Sequence, residues 1–189
     1  MAMRLFIAVD VSDDVRERIC QIEGILKRYK GLKPVEKHNI HFTLMFLGEV
    51  PDSRVGLIED RLSRIKMQPF RVHLKGMGFF PNANRIRVVW VGVEEGKEEI
   101  SKLAKLVRQE MKRLGFKEDS EFVAHATVAR VKRITPGERR KLLEELQSID
   151  SDFGWMEVKD FRLKKSTLTP KGPIYEDLAV YSLEEQNEG

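Results

Sequence analysis

His41-Phe-Thr-Leu-Met-Phe-Leu-Gly48 and His125-Ala-Thr-Val-Ala-Arg130 open with the same polar pair, a histidine and a threonine two positions on, and they begin 84 residues apart. Both are short apolar runs rich in strand-forming side chains, and both read as strands. Residues two apart on a strand share a face. His41 and Thr43 therefore project together, with Phe42, Leu44 and Phe46 turned the other way into a core. His125 and Thr127 repeat the arrangement, with Ala126 and Val128 behind them.

Outward from these two stretches the chain repeats itself. Leu5–Val9 reads as a buried strand, and Ser12 as the cap of a helix in which Val15, Ile19, Ile22, Leu26 and Tyr29 recur at helical spacing up to Gly31. The His41–Leu47 strand, a helix over Ser53–Lys66 and a strand over Phe70–Leu74 complete the first unit. The second runs through a strand at Ile86–Val93, a helix at Lys97–Leu114 stopped by Gly115, and a strand at Glu121–Val131. Thr135-Pro-Gly-Glu138 then reads as a capping box opening a helix through Ile149. Strands at Val158–Lys165 and Tyr175–Leu183, joined by the turn Thr169-Pro-Lys-Gly-Pro173, close the chain.

At the same offset Gly31 falls on Gly115, and Ile58, Leu62 and Ile65 fall on Leu142, Leu146 and Ile149. A shared offset for helix stops, core positions and the polar pair points to an internal β-α-β-α-β repeat, spanning roughly 3–80 and 86–167, with a closing strand near 174–183. The expected fold is α+β. Residues 1–189 form one bilobal domain of two pseudo-symmetric lobes, each a mainly antiparallel sheet backed by helices, with the active-site cleft between them. The tail from Glu184 to Gly189 is polar and expected to fray.

Composition narrows the function classes. The N-terminal apolar run is too short for a signal peptide and no stretch is long enough to span a membrane, so the chain reads as a cytoplasmic, membrane-free protein. Its formal net charge of +4 suits an anionic partner. Cys20, the single cysteine, lies on an apolar helix face and reads as a structural thiol. There is no Cys pair, no His-Glu-x-x-His and no carboxylate cluster beside the histidines, so neither metal nor cofactor is expected.

Two imidazoles facing across a cleft suit phosphodiester chemistry. Transfer at phosphorus needs a base for the attacking oxygen and an acid for the leaving one. Histidine, with an unperturbed pKa of about 6.5, serves as either. Threonine hydroxyls can donate to the non-bridging phosphate oxygens, where charge builds in the transition state. The alternative from another class is a non-catalytic RNA- or nucleotide-binding module using the same cleft. Such a module needs hydrogen bonds and charge, not a matched acid and base.

These motifs resemble the paired H-x-T-x signatures of the 2H phosphoesterases. Within them the chain is most similar to the archaeal and bacterial RNA 2′,3′-cyclic phosphodiesterases, also called 2′-5′ RNA ligases. The likeness includes Arg4-Leu-Phe-Ile-Ala-Val-Asp10, Gly78-Phe-Phe-Pro81, Val88-Val-Trp-Val-Gly-Val93, and Ser166-Thr-Leu with Gly172-Pro-Ile-Tyr175. The resemblance implies hydrolysis of RNA 2′,3′-cyclic phosphodiester ends to a 2′-phosphate, with reversible 2′-5′ joining of tRNA halves as a further activity. It implies His41 as proton donor, His125 as proton acceptor, and Thr43 and Thr127 on the phosphate. The symmetry of the motifs themselves leaves donor and acceptor open. Arg130 is implied near the phosphate, yet on an unbroken strand it falls on the face opposite His125, so a bulge must re-aim it. Lys33-Pro34 stands where relatives often carry an aromatic residue.

Of the smaller signals, Tyr175 is the better candidate to stack on an unpaired base, whereas Phe79 and Phe80 read as core. His38 reads as a surface residue and His73 as a half-exposed strand histidine. Lys132-Arg133, Arg139-Arg-Lys141 and Lys164-Lys165 form a basic set that either guides RNA or is simply solvated. The expected partner is RNA ending in a 2′,3′-cyclic phosphate, such as a tRNA fragment. The repeat supplies both halves of the site, so a monomer is expected.

Overall fold

The structure is a computed structural model that describes residues 1–118 and 120–185. Along the chain run β1 (Ala2–Asp10), α1 (Asp13–Cys20), α2 (Glu23–Leu26), β2 (Leu32–Pro34), β3 (His41–Pro51), α3 (Val55–Ser63), β4 (Phe70–Asn82) and β5 (Arg85–Val93). Then follow α4 (Lys97–Arg113), β6 (His125–Val131), α5 (Pro136–Gln147), β7 (Asp152–Val158), β8 (Asp160–Thr169) and β9 (Gly172–Ser182). The fold is α+β, as the repeat pattern implied.

The strands form one continuous sheet in the order β7-β4-β5-β6-β3-β1-β8-β9, with β2 added beside β6. Every neighbouring pair is antiparallel. The two lobes are the halves of this sheet, and they meet where β3 touches β6. They are interlocked, not sequential: β4 crosses from the first part of the chain to sit beside β5, while β8, near the end, sits beside β1. A contiguous repeat therefore does not build a lobe alone. The helices follow the same exchange, with α4 packing on β3 and β4 and α1 on β7. Between helices and sheet lies a core containing Leu5, Ile7, Phe42, Leu44, Ile58, Leu62, Ile100 and Val107, all essentially without exposure.

Several local expectations change. The helix after Ser12 breaks into α1 and α2, and the Ser12 hydroxyl donates to the Asp14 carboxylate (2.6 Å) in place of a capping bond to the backbone. Cys20 is only partly buried, packed at the margin of the core, where burial raises its thiol pKa. The strand expected from Glu121 starts only at His125. The strand expected over Val158–Lys165 is two strands separated at Lys159, and β7 has no clear signal in the sequence because Gly154, at φ +95°, interrupts its alternation. Thr135 does form a capping box: its hydroxyl accepts from Glu138 N–H (3.1 Å) and the Glu138 carboxylate accepts from Thr135 N–H (3.2 Å). Residues 186–189 of the polar tail lie outside the described residues.

The two matched glycines do different work. Gly115, at φ +90°, ends α4 in a Schellman turn, with Gly115 N–H on Lys112 O and Phe116 N–H on Met111 O. Gly31 has no such φ. It lies against the end of β6, where its carbonyl accepts from Lys132 N–H (2.8 Å) and a methyl group would collide with the Arg133 carbonyl oxygen. The sequence offers no way to tell a helix stop from a close approach when both require glycine.

Gly31→Ala should therefore cost about 1–3 kcal/mol through overpacking against backbone, read as a lower urea midpoint. An unchanged midpoint would contradict the close approach.

Candidate active site

β3 and β6 meet through one residue pair, Phe42 opposite Ala126, and both side chains are completely buried. Carrying this antiparallel register one residue each way sets His41 across from Thr127 and Thr43 across from His125. Because faces alternate, all four emerge on the side away from Phe42 and Ala126. Residues directly across a sheet lie about 4.5–5.5 Å apart at Cβ and diagonal neighbours about 7–8 Å apart. The two imidazoles occupy a diagonal, which leaves space for one tetrahedral anion between their outer nitrogens. All four residues line one cleft of about 930 Å³. Past the contact the strands separate: β6 takes β2 as its neighbour at Ala129–Val131, while β3 continues beside β1.

A bulge follows each polar pair. The register of β3 on β1 slips between Thr43 and Met45, making Leu44 the extra residue, and that of β6 on β5 slips between Thr127 and Ala129, making Val128 the extra one. Leu44 and Met45 are consequently both buried, as are Val128 and Ala129, and the next residue in each strand swings to the cleft side. This brings Arg130 into the cleft beside the histidines. It also corrects the placement of Phe46, which is 63% exposed and lines the cleft, not the core.

Both imidazoles are held alike. His41 Nδ1 lies 2.6 Å from Asn39 O and His125 Nδ1 lies 2.7 Å from Val123 O, each the carbonyl two residues earlier. A carbonyl only accepts, so Nδ1 carries the proton in both rings and Nε2 is left for chemistry. In the first motif, His41 Nε2 is 2.9 Å from Thr43 Oγ1. Aromatic rings pack edge-on against each: Tyr175 against His41 (centroids 5.4 Å) and Phe80 against His125 (4.8 Å). Burial dominates both titrations. It lowers the His41 pKa to about 4 against the pull of Asn39 O and Asp10, and it lowers that of His125, with the positive charge of Arg130 adding to the effect.

The surroundings break the symmetry. Across β1 from His41 stands Asp10, whereas across β5 from His125 stands Gly92. Asp10 belongs to an ion network in which Lys164 Nζ reaches Asp10 Oδ1 (3.0 Å) and Asp177 Oδ1 (2.6 Å), and Arg162 reaches Asp160 (3.1 Å) and Asp177 (2.7 Å). Lys164 is only 7% exposed, so it is no part of a solvent-facing basic patch, contrary to the expectation from chain order.

Thr43, Thr127, Arg130 and Tyr175 thus share the cleft with the two histidines, and Lys33, Phe80 and Arg4 join them. Phe80 reads as core in the sequence because nothing in its local pattern reveals that the β4–β5 hairpin lies against β6; Phe79 packs against the core. Asn39 carries no signal in the sequence: its carbonyl fixes His41, and its side-chain amide donates to Pro173 O (3.1 Å), holding the turn before Tyr175. His38 is exposed beside Glu36. His73 lies outside the cleft and is buried, not half-exposed, bonded to Asp152 (2.8 Å) and stacked on Trp155. Among the described residues, no three His, Cys, Asp or Glu side chains converge as an ion site, and no helix is long and apolar enough to cross a membrane.

The family model described as LigT like Phosphoesterase matches residues 9–90 and again 91–175. The RNA 2′,3′-cyclic phosphodiesterase of Archaeoglobus fulgidus is 50% identical over 95% of this chain and 99% of its own, and that of Methanocaldococcus jannaschii 41% identical over 92% and 97%. A crystal structure of a Thermus thermophilus protein superposes with a TM-score of 0.81 at 33% identity, covering 97% of this chain and all of the other. Escherichia coli LigT in complex with 3′-AMP gives 0.81 at 26% identity, over 98% of this chain and all of its own. The chain belongs to the LigT-like phosphoesterase family.

The depressed pKa values give a titration with a definite sign. Both histidines should be neutral in the free protein at pH 7, with His41 protonating near 4 in an imidazole NMR titration. Unfolded chains bind those protons near pH ~6.5, so stability should fall as pH drops from about 6.5 to about 4. A free-protein His41 that titrates above about 6.5 would contradict the burial argument.

Proposed function

We propose that the chain hydrolyses 2′,3′-cyclic phosphodiester ends of RNA to 2′-phosphates, by acid/base catalysis with His41 and His125 and without a metal ion. The observation that carries the reading is the diagonal placement of two imidazoles in one cleft, both protonated at Nδ1 and both turning Nε2 to the cleft, where that of His41 meets the Thr43 hydroxyl. The names of the relatives at 50% and 41% identity support the substrate.

In this reading water attacks phosphorus, and its proton passes to His125 Nε2. The P–O3′ bond breaks as His41, entering as the imidazolium, gives its Nε2 proton to O3′. The phosphate stays on O2′. Thr43 and Thr127 donate to the non-bridging oxygens, and Arg130 adds a fixed positive charge there. Asp10 favours a proton on His41 and Arg130 disfavours one on His125, while Lys164 and Arg16 oppose the pull of Asp10. Burial opposes a charged His41 in the free protein; an anionic phosphate in the cleft offsets that cost. A 5′-hydroxyl in the place of water would form a 2′-5′ linkage by the same two transfers. Tyr175, at the wall of the cleft, offers its ring to the terminal base.

A binding module would need neither matched tautomers nor two opposed rings, so catalysis is favoured over it.

A 2′,3′-cyclic nucleotide incubated with the protein and EDTA should yield the 2′-phosphate by chromatography. His41→Ala and His125→Ala should each lower kcat by about 10²–10⁴ with unchanged circular dichroism. Full activity in either variant, or loss of activity to the chelator, would defeat the mechanism.

A further inference from the structure

Beyond the Arg130 end of β6 lies a second, smaller concavity of about 290 Å³ between the start of β5 and the N-terminus of α5. Arg85, Arg87, Lys132, Arg133 and Arg139 line it, and among the described residues no carboxylate does. None of the five takes part in an ion pair among the described residues. The nearby Glu138 is turned to the backbone of Thr135 by the capping box, and Arg139 donates to the Asn84 carbonyl. The positive end of α5 faces the same space. Elsewhere the buried Lys164 and the part-buried Arg162 are closely neutralised by carboxylates. Five like charges gathered in one hollow without a counter-charge repel one another, and a polyanion relieves that repulsion.

The hollow is also in line with the reacting centre. Val88 and Arg130 face each other across β5 and β6 and line the cleft; Ile86, Arg87, Val131 and Lys132, next along the same two strands, line the hollow. From His125 to Lys132 the chain advances about 20 Å at the usual rise per strand residue. A cyclic phosphate closes the 3′ end of a strand, so the rest of an RNA must leave the cleft on its 5′ side.

We propose that this hollow is a binding subsite for the phosphates of single-stranded RNA upstream of the cyclic end, so that the preferred substrate is an oligoribonucleotide and not a mononucleotide. The inference rests on the reading of the cleft as an RNA-end site. It gives Lys132, Arg133 and Arg139 a role through their position next to Arg85 and Arg87, which chain order alone does not supply. Contacts to phosphate are indifferent to base identity, so the subsite confers length preference without sequence preference.

The test compares the wild-type protein with the triple variant Arg85→Glu, Arg87→Glu, Lys132→Glu, none of which belongs to the catalytic cleft. Substrates are a 2′,3′-cyclic mononucleotide and a length series of oligoribonucleotides ending in the same group. Wild-type kcat/KM should rise with length by about tenfold or more at low salt. The variant should keep its mononucleotide rate within about twofold and lose the gain with length. Binding of a labelled oligonucleotide ending in a 2′-phosphate, followed by anisotropy against salt, should show a log–log slope shallower by about 2, since each lost cation removes about 0.7. A wild-type protein indifferent to length, or a variant with unaltered slope, overturns the proposal. If no cyclic substrate turns over, the reading of the cleft has failed, and the anisotropy slope still decides the subsite.

Discussion

One backbone pairing sets the frame of the cleft: Phe42 against Ala126, where two half-sheets touch. With both side chains fully buried, a slip of one residue in either strand would drive its histidine and threonine into the core and its apolar side chains into the cleft. The register is therefore fixed by burial on the side away from the cleft. That places the polar quartet with the stiffness of a sheet, and a site on strands is held more firmly than one on loops. The exchange of β4 and β8 between lobes ties the halves together, so the contact does not depend on its single pair alone.

A symmetric frame carries an asymmetric site. The paired bulges at Leu44 and Val128 deliver one residue to each side of the cleft, an exposed phenyl ring from Phe46 and a guanidinium from Arg130. Asp10 stands beside one histidine and Gly92 beside the other. Two identical imidazoles acquire different partners in this way, which is what the proposed pairing of one acid with one base calls for. Ring orientation, by contrast, is kept the same on both sides by a carbonyl two residues upstream.

Much of this is legible in the chain. The offset shared by His41 and His125 locates the site and implies its opposition, and the capping box at Thr135 forms as its sequence suggests. What stays hidden is non-local. Phe80 meets His125 because the β4–β5 hairpin lies against β6, and that β5–β6 pairing leaves no mark in a single strand's alternation. The bulges hide for a related reason: an extra residue is visible only against a partner strand, so Phe46 reads as core and Arg130 needs a device that its own sequence does not announce. Asn39 escapes notice because its backbone carbonyl, which any residue would supply, does half of its work. Lys164 misleads because its counter-charges, Asp10 and Asp177, lie on other strands.

The most direct measurement is a crystal structure of the protein with a nucleoside 2′-phosphate in the cleft. The account requires one phosphate group bracketed by both rings, with His41 Nε2 and His125 Nε2 each about 2.6–3.2 Å from its oxygens. A phosphate bound to a single imidazole, with the other ring out of reach, would contradict it.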